Sequence, residues 1–191
     1  MNRDNRQIRA NSTQFEVREE ENDLFIEGYF AVFNSDYEMW DGASESIAPG
    51  AFSNTLSNDV RALVDHDTRL VLGRTKNHTL ELREDSYGLW GRVKINRDDS
   101  DAMNLYNRVK RGDVDQCSFG FQILGEDVDY REDGSVHWTI REVELYEVSV
   151  VTFPAYKDTA VSARKRDFEA IRQRKTEKWR TDMMKKLKEG A

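Results

Sequence analysis

Between residues 13 and 153 the apolar side chains fall in short, mostly alternating runs divided by Gly, Pro, Asn or Asp, and one long stretch and one short one turn to a helical period. A side-chain period of two, with turn residues every few positions, describes strands that each bury one face, so the chain is committed to a β-rich core. Residues 13–19 and 24–33 read as a hairpin about the charged turn EEND, and residues 60–65, 70–74, 79–83 and 89–96 as further short strands. Residues 114–124 and 137–153 follow as longer ones, the last stopped by Pro154, which has no amide to give to a ladder. Residues 34–49 read as a loop, feeding a short helix in PGAFSNTLS, where Ala51, Phe52 and Leu56 have helical spacing. In residues 97–111, Asp98, Asp99 and Ser100 can cap a helix, Met103, Leu105, Tyr106 and Val109 recur on one side, and Gly112 ends it. The expected fold is mainly β with helices, an α+β class: a closed or nearly closed β-barrel surrounded by short helices.

A chain of 191 residues buries one sizeable core. The expected division is a disordered arm over residues 1–12, one globular domain over 13–163, and a basic, charged helical tail over 164–191, where 11 Lys and Arg stand against 5 Asp and Glu. The rest of the chain is strongly acidic, which argues against nucleic acid as the main ligand, because phosphate binding rests on clustered Lys and Arg. The longest apolar stretch, residues 148–153, is far below the roughly 20 residues a bilayer needs. The polar N-terminus lacks a signal-peptide core, so a cytoplasmic start is expected. One cysteine and three scattered histidines supply neither an internal disulfide nor a metal cluster, and no cofactor is implied.

Several side chains have the chemistry of a hydrolase. His66 stands where the apolar strand RALV gives way to DHDTR, an exposed imidazole between Asp65 and Asp67, either of which could hold it. The same pattern also describes a surface turn histidine. Ser118 lies in DVDQCSFGF, its strand's other face being Cys117, Phe119, Phe121 and Ile123; Gly120 leaves room for a substrate backbone or a reacting carbonyl. Cys117 competes as nucleophile, since a thiolate is intrinsically stronger, but alternation places it with the phenylalanines. Glu147, in VELYEVSVVTFP, shares a face with Val143, Leu145, Ser149 and Val151. A carboxylate buried there is paired, protonated or used, as an acid behind a histidine; the competing reading is that Glu147 faces solvent across an edge strand, or pairs with Arg92 or Arg141. Ser149 and Thr152 read as hydrogen-bonding residues of the core. His78 and His137 have weaker surroundings.

Taken in order, GYFAVFN, IAPGAF, VDHDTRLVLGRT, GLWGRVKI, CSFGF and ELYEVSVVTFPAY resemble the prohead proteases of tailed bacteriophages, over about residues 24 to 163. The resemblance implies a barrel similar to the herpesvirus assemblins and a serine endopeptidase of capsid maturation. It maps the base to His66 and the nucleophile to Ser118. For the third member it favours Glu147, with His137 as the alternative, since assemblins use a second histidine. Implied substrates and partners are the major capsid protein with its scaffolding region, other procapsid proteins and the protease itself, met inside the assembling procapsid in the host cytoplasm. A homodimer is compatible with it, and the tail reads as a docking or self-cleaved segment or a plain solvated helix. Two rivals stay open: a non-catalytic assembly protein, and a cysteine hydrolase using Cys117 with His66.

Overall fold

The computed structural model describes residues 6–11 and 15–153, and in the tail residues 173, 176, 177, 179–181 and 183–185. The chain divides into two units, Met1–Ala155 and Tyr156–Ala191. The described tail residues are helical; the remainder of the expected charged helix lies outside the described residues, as does most of the segment read as self-cleaved or docking.

The first unit holds two sheets. One has seven strands: β1 (Gln7–Asn11), β10 (Gln116–Tyr130), β11 (Val136–Val151), β5 (Ala43–Ile47) and β4 (Tyr37–Trp40) in that order, with β6 (Arg61–Val64) on β11 and β7 (Asp67–Arg74) on β6. The other is β2 (Glu16–Glu20), β3 (Asp23–Val32), β9 (Gly88–Ile95) and β8 (Leu80–Glu84), an antiparallel sheet of four. Among the described residues no ladder joins the two sheets and neither closes on itself, so the expected closed barrel is not formed. The reason lies in β11, whose 16 residues pair in parallel with β5 through Val136 to Ile140 and with β6 through Glu147 to Val150. The sheet forks along that edge instead of continuing round.

Side chains of both sheets and of the helix α1 (Ser100–Arg111) merge in one core. The α1 N-cap is Asp99, whose carboxylate accepts from the amides of Asp101 and Ala102, and Gly112 closes its end with φ 84°, a left-handed cap that costs glycine little. Ala102, Leu105, Tyr106 and Val109 face inward. Phe33, Phe52, Phe119 and Phe121 form a chain of ring contacts with centroids 4.9 to 6.3 Å apart. Fully burying each such ring stabilises the fold by roughly 1.5–3 kcal/mol, and here it also fixes which face of β10 points away from the core.

Three local expectations are corrected. Residues 7–11, read as part of a patternless arm, form β1 on the edge of β10. Residues 37–47, read as loop, supply β4 and β5. PGAFSNTLS is a string of turns, with the amides of Ala51, Ser53, Thr55 and Asn58 each bonded three residues back. A helix is prevented there because neighbouring elements take its polar groups. Glu84 accepts from the Phe52 amide (3.0 Å), Thr55 Oγ1 accepts from the Leu145 amide (2.9 Å), and Ala51 O accepts from the Val143 amide (3.1 Å).

Candidate active site

The β6–β7 hairpin is closed by two residues, Asp65 and His66, since Val64 pairs with Asp67. Both have positive φ, 47° and 62°, as a type I′ turn requires. Left-handed backbone costs an L-residue roughly 1–2 kcal/mol, and Asp and His are among the residues that tolerate it best. The turn is tied down by Asp65. Its amide donates to Val150 O (3.0 Å), and its carboxylate accepts from the Thr152 amide (2.7 Å) and Thr152 Oγ1 (3.2 Å). His66 is thereby held over β10 and β11.

On those two strands Cys117, Phe119, Val148 and Val150 belong to the core, while Ser118 stands opposite Ser149 and Gly120 opposite Glu147. The ladder then slips, so that Phe121 faces Leu145 and Tyr146 is the extra residue. This bulge corrects the sequence-based face of Glu147. Val143 and Leu145 turn to the core, and Glu147 is left on the face of Ser118 and Ser149.

His66 Nε2 is 2.8 Å from Ser118 Oγ, and His66 Nδ1 is 2.7 Å from Glu147 Oε1. Ser149 Oγ donates to Glu147 Oε2 at 2.6 Å, and the Arg6 guanidinium donates to Oε1. Burial pushes the Glu147 carboxyl upward, but the hydrogen bond and charge of His66, the Ser149 hydroxyl and the Arg6 charge outweigh it, leaving it below the usual glutamate range. An ionised Glu147 only accepts, so the imidazole turns an Nδ1 proton to it, and Nε2 faces Ser118 Oγ. A hydroxyl, an imidazole and a buried carboxylate in one line can activate the hydroxyl as a nucleophile and stabilise the imidazolium that results.

Residues 13–174 match the family model described as caudovirus prohead serine protease. The chain belongs to that family. Curated prohead proteases are similar: that of Enterobacteria phage HK97 is 33% identical over 144 residues, 73% of this chain and 60% of the relative. That of Escherichia phage T5 is 30% identical over 130 residues, 65% of this chain and 58% of the relative. The chain thus spans about three fifths of the length of these relatives. The solved structure of the bacteriophage T4 capsid assembly protease superposes with a TM-score of 0.51 over 76% of this chain and 96% of that one, at 10% identity, a likeness of fold.

In this prohead protease family member, then, the structure brings together the three side chains proposed from sequence, Ser118, His66 and Glu147. The others go elsewhere. Cys117 is buried, and its thiol donates to Tyr29 O at 3.2 Å on the core side. His137 sits between Ser44 Oγ (2.7 Å) and Ser46 Oγ (2.9 Å), ten residues before Glu147 on β11, roughly 33 Å along an extended strand. His78 caps the 3₁₀ turn Thr75–Asn77 from outside. Asp67 pairs with Arg69, and neither Arg92 nor Arg141 reaches Glu147: they pair with Glu20 and Glu27, and with Asp127. Three side chains of the site were missed, Arg6, Arg9 and Glu45. Arg9 is 4% exposed and Glu45 1%, and they pair through two bonds, Nε to Oε1 at 2.5 Å and Nη2 to Oε2 at 2.9 Å. The sequence signal was weak but present: Ile8 and Ala10 alternate with Gln7 and Arg9 as in a strand. Among the described residues no group of His, Cys, Asp and Glu is arranged to hold a metal, and no helix is long and apolar enough to cross a membrane.

Proposed function

We propose that this chain is a serine endopeptidase that cleaves capsid and scaffold proteins during procapsid maturation. The observation that carries the reading is the unbroken line of hydrogen bonds from Ser118 Oγ through His66 to Glu147. Ser118 attacks the scissile carbonyl, His66 Nε2 takes its proton and passes it to the leaving amine, and water repeats the sequence to free the acid. Glu147 fixes the tautomer and stabilises the imidazolium, and Ser149 holds Glu147 in place. The family and the names of its relatives support action on procapsid proteins; the proposal extends this to the major capsid protein with its scaffolding region, other procapsid proteins and the protease itself as targets, inside the assembling procapsid in the host cytoplasm.

Co-expression with the neighbouring major capsid protein tests this, following the capsid subunit's mass with wild type and Ser118→Ala. Shortening by wild type alone supports the reading. Equal shortening by both removes Ser118 as nucleophile. Intact subunits in normal shells with either chain would make this a non-catalytic assembly protein.

A further inference from the structure

Ser118 is fully buried, although a nucleophile must meet a carbonyl supplied by its substrate. What lies against its oxygen is β1. This edge strand runs antiparallel to β10 with Ala10 opposite Ser118, and the carbonyl oxygen of Arg9 accepts from Ser118 Oγ at 2.9 Å. A peptide laid beside a strand in this way is bound by main-chain hydrogen bonds, and pockets for its side chains decide which sequences fit. The side chain of the residue presenting this carbonyl is buried. Arg9 is part of the wall of a cleft that Asp36, Tyr37, Glu45, Ser46 and Phe119 also line, and its guanidinium meets Glu45 in a two-bond pair. A planar guanidinium docked on a buried carboxylate selects for charge and shape together.

Resting on the serine-endopeptidase reading, we infer that the groove filled by β1 is the substrate cleft, that Glu45 selects a basic residue on the acyl side of the scissile bond, and that residues 6–11 occupy it as a substrate-like strand. The bond so presented joins Arg9 to Ala10. In the reaction the Ser118 proton swings from Arg9 O to His66 Nε2, Oγ bonds to the Arg9 carbonyl carbon, the C–N bond to Ala10 breaks, and the proton leaves on the Ala10 amine. Water then hydrolyses the Ser118 ester. Arg6, on the carboxylate oxygen that also binds His66, adds a second basic contact three residues before Arg9.

The test uses the full chain carrying Arg9→Ala, which frees Glu45 of its guanidinium partner, with peptides of residues 5–14 bearing Arg, Lys, Leu or Glu in the place of Arg9. Mass spectrometry locates the cut, and labelling of Ser118 by a fluorophosphonate, with Ser118→Ala as blank, reports the nucleophile independently. The expected result is cleavage before the alanine, with kcat/KM about 100-fold higher for Arg and Lys than for Leu and Glu, a preference cut about tenfold by adding Glu45→Gln. Should Arg9→Ala not fold, the same peptides in excess over wild type compete with β1 and carry the comparison. A labelled Ser118 with cleavage that ignores the tested residue, occurs elsewhere or does not occur overturns the cleft assignment and leaves the serine-endopeptidase reading standing. An unlabelled Ser118 with no cleavage sinks both.

Discussion

Gly120 and Glu147 face each other across the β10–β11 ladder, and a methyl group on Gly120 would run into the Glu147 carboxylate and come within 2.6 Å of Arg6 Nε. Gly120 therefore makes the space in which Glu147 reaches His66. Gly120→Ala is expected to lower kcat at least about 100-fold, because a small displacement of an orienting group is enough for that, and to cost about 1–3 kcal/mol through overpacking. Peptide hydrolysis and urea unfolding measure the two effects separately; near-wild-type kcat would show that the carboxylate is not needed where it stands.

Glu147→Gln keeps the shape and removes the charge. It is expected to lower kcat by about 10²- to 10⁴-fold with little change in KM, since the imidazole loses both its tautomer and its counter-charge. The same carboxyl links stability to pH. Its folded pKa lies below the ordinary 4.5, so ionised Glu147 stabilises the fold fully above that value, and the contribution is lost as pH falls through the lower folded value. Thermal unfolding between pH 7 and pH 2 should show wild type losing its advantage over Glu147→Gln only below about pH 4.5. A gap that is constant with pH would mean that Glu147 is not titrating in this way.

Cys117 packs among the phenylalanines with its thiol on backbone carbonyls of β3. Cys117→Ser is expected to keep more than about half of the wild-type kcat, with destabilisation of about 1–3 kcal/mol from placing a hydroxyl in an apolar setting. Loss of activity at unchanged stability would reopen the cysteine mechanism.

The catalytic candidates drew notice on local patterns, Ser118 on an alternating strand beside a glycine, His66 at the end of an apolar run, and Glu147 as a carboxylate among apolar neighbours, but each pattern equally describes a structural residue, and their roles came from the family resemblance. The face of Glu147 was misread, because the bulge at Tyr146 arises from how β11 pairs with β10 and shifts the phase of alternation there, Val143 and Leu145 facing the core before it and Val148 and Val150 after it. The fork of β11 between β5 and β6 was hidden for the same reason: pairing is a long-range choice, and a barrel and an open pair of sheets share one strand pattern. β1 has only five residues, two of them apolar, so nothing in its own sequence outweighs the reading as an arm; its place is set by β10, the Arg9–Glu45 pair and the Arg6–Glu147 contact.

Asp65 illustrates a flanking acid whose role is distinct from the one first expected of it. It does not hold the His66 ring; it holds the turn, spending its carboxylate on the amide and hydroxyl of Thr152. Asp65→Ala removes both bonds and places a residue with less tolerance for positive φ at 47°, so a stability loss of about 1–3 kcal/mol is expected. Because His66 then samples positions away from Ser118, kcat should fall about 10- to 100-fold while KM stays near wild type. Asp65→Asn, which keeps an acceptor oxygen and accepts left-handed backbone, should recover most of both losses. That rescue separates positioning from charge: if Asp65→Asn is as impaired in kcat as Asp65→Ala, the negative charge beside His66 matters in its own right, and the turn geometry is not what Asp65 contributes.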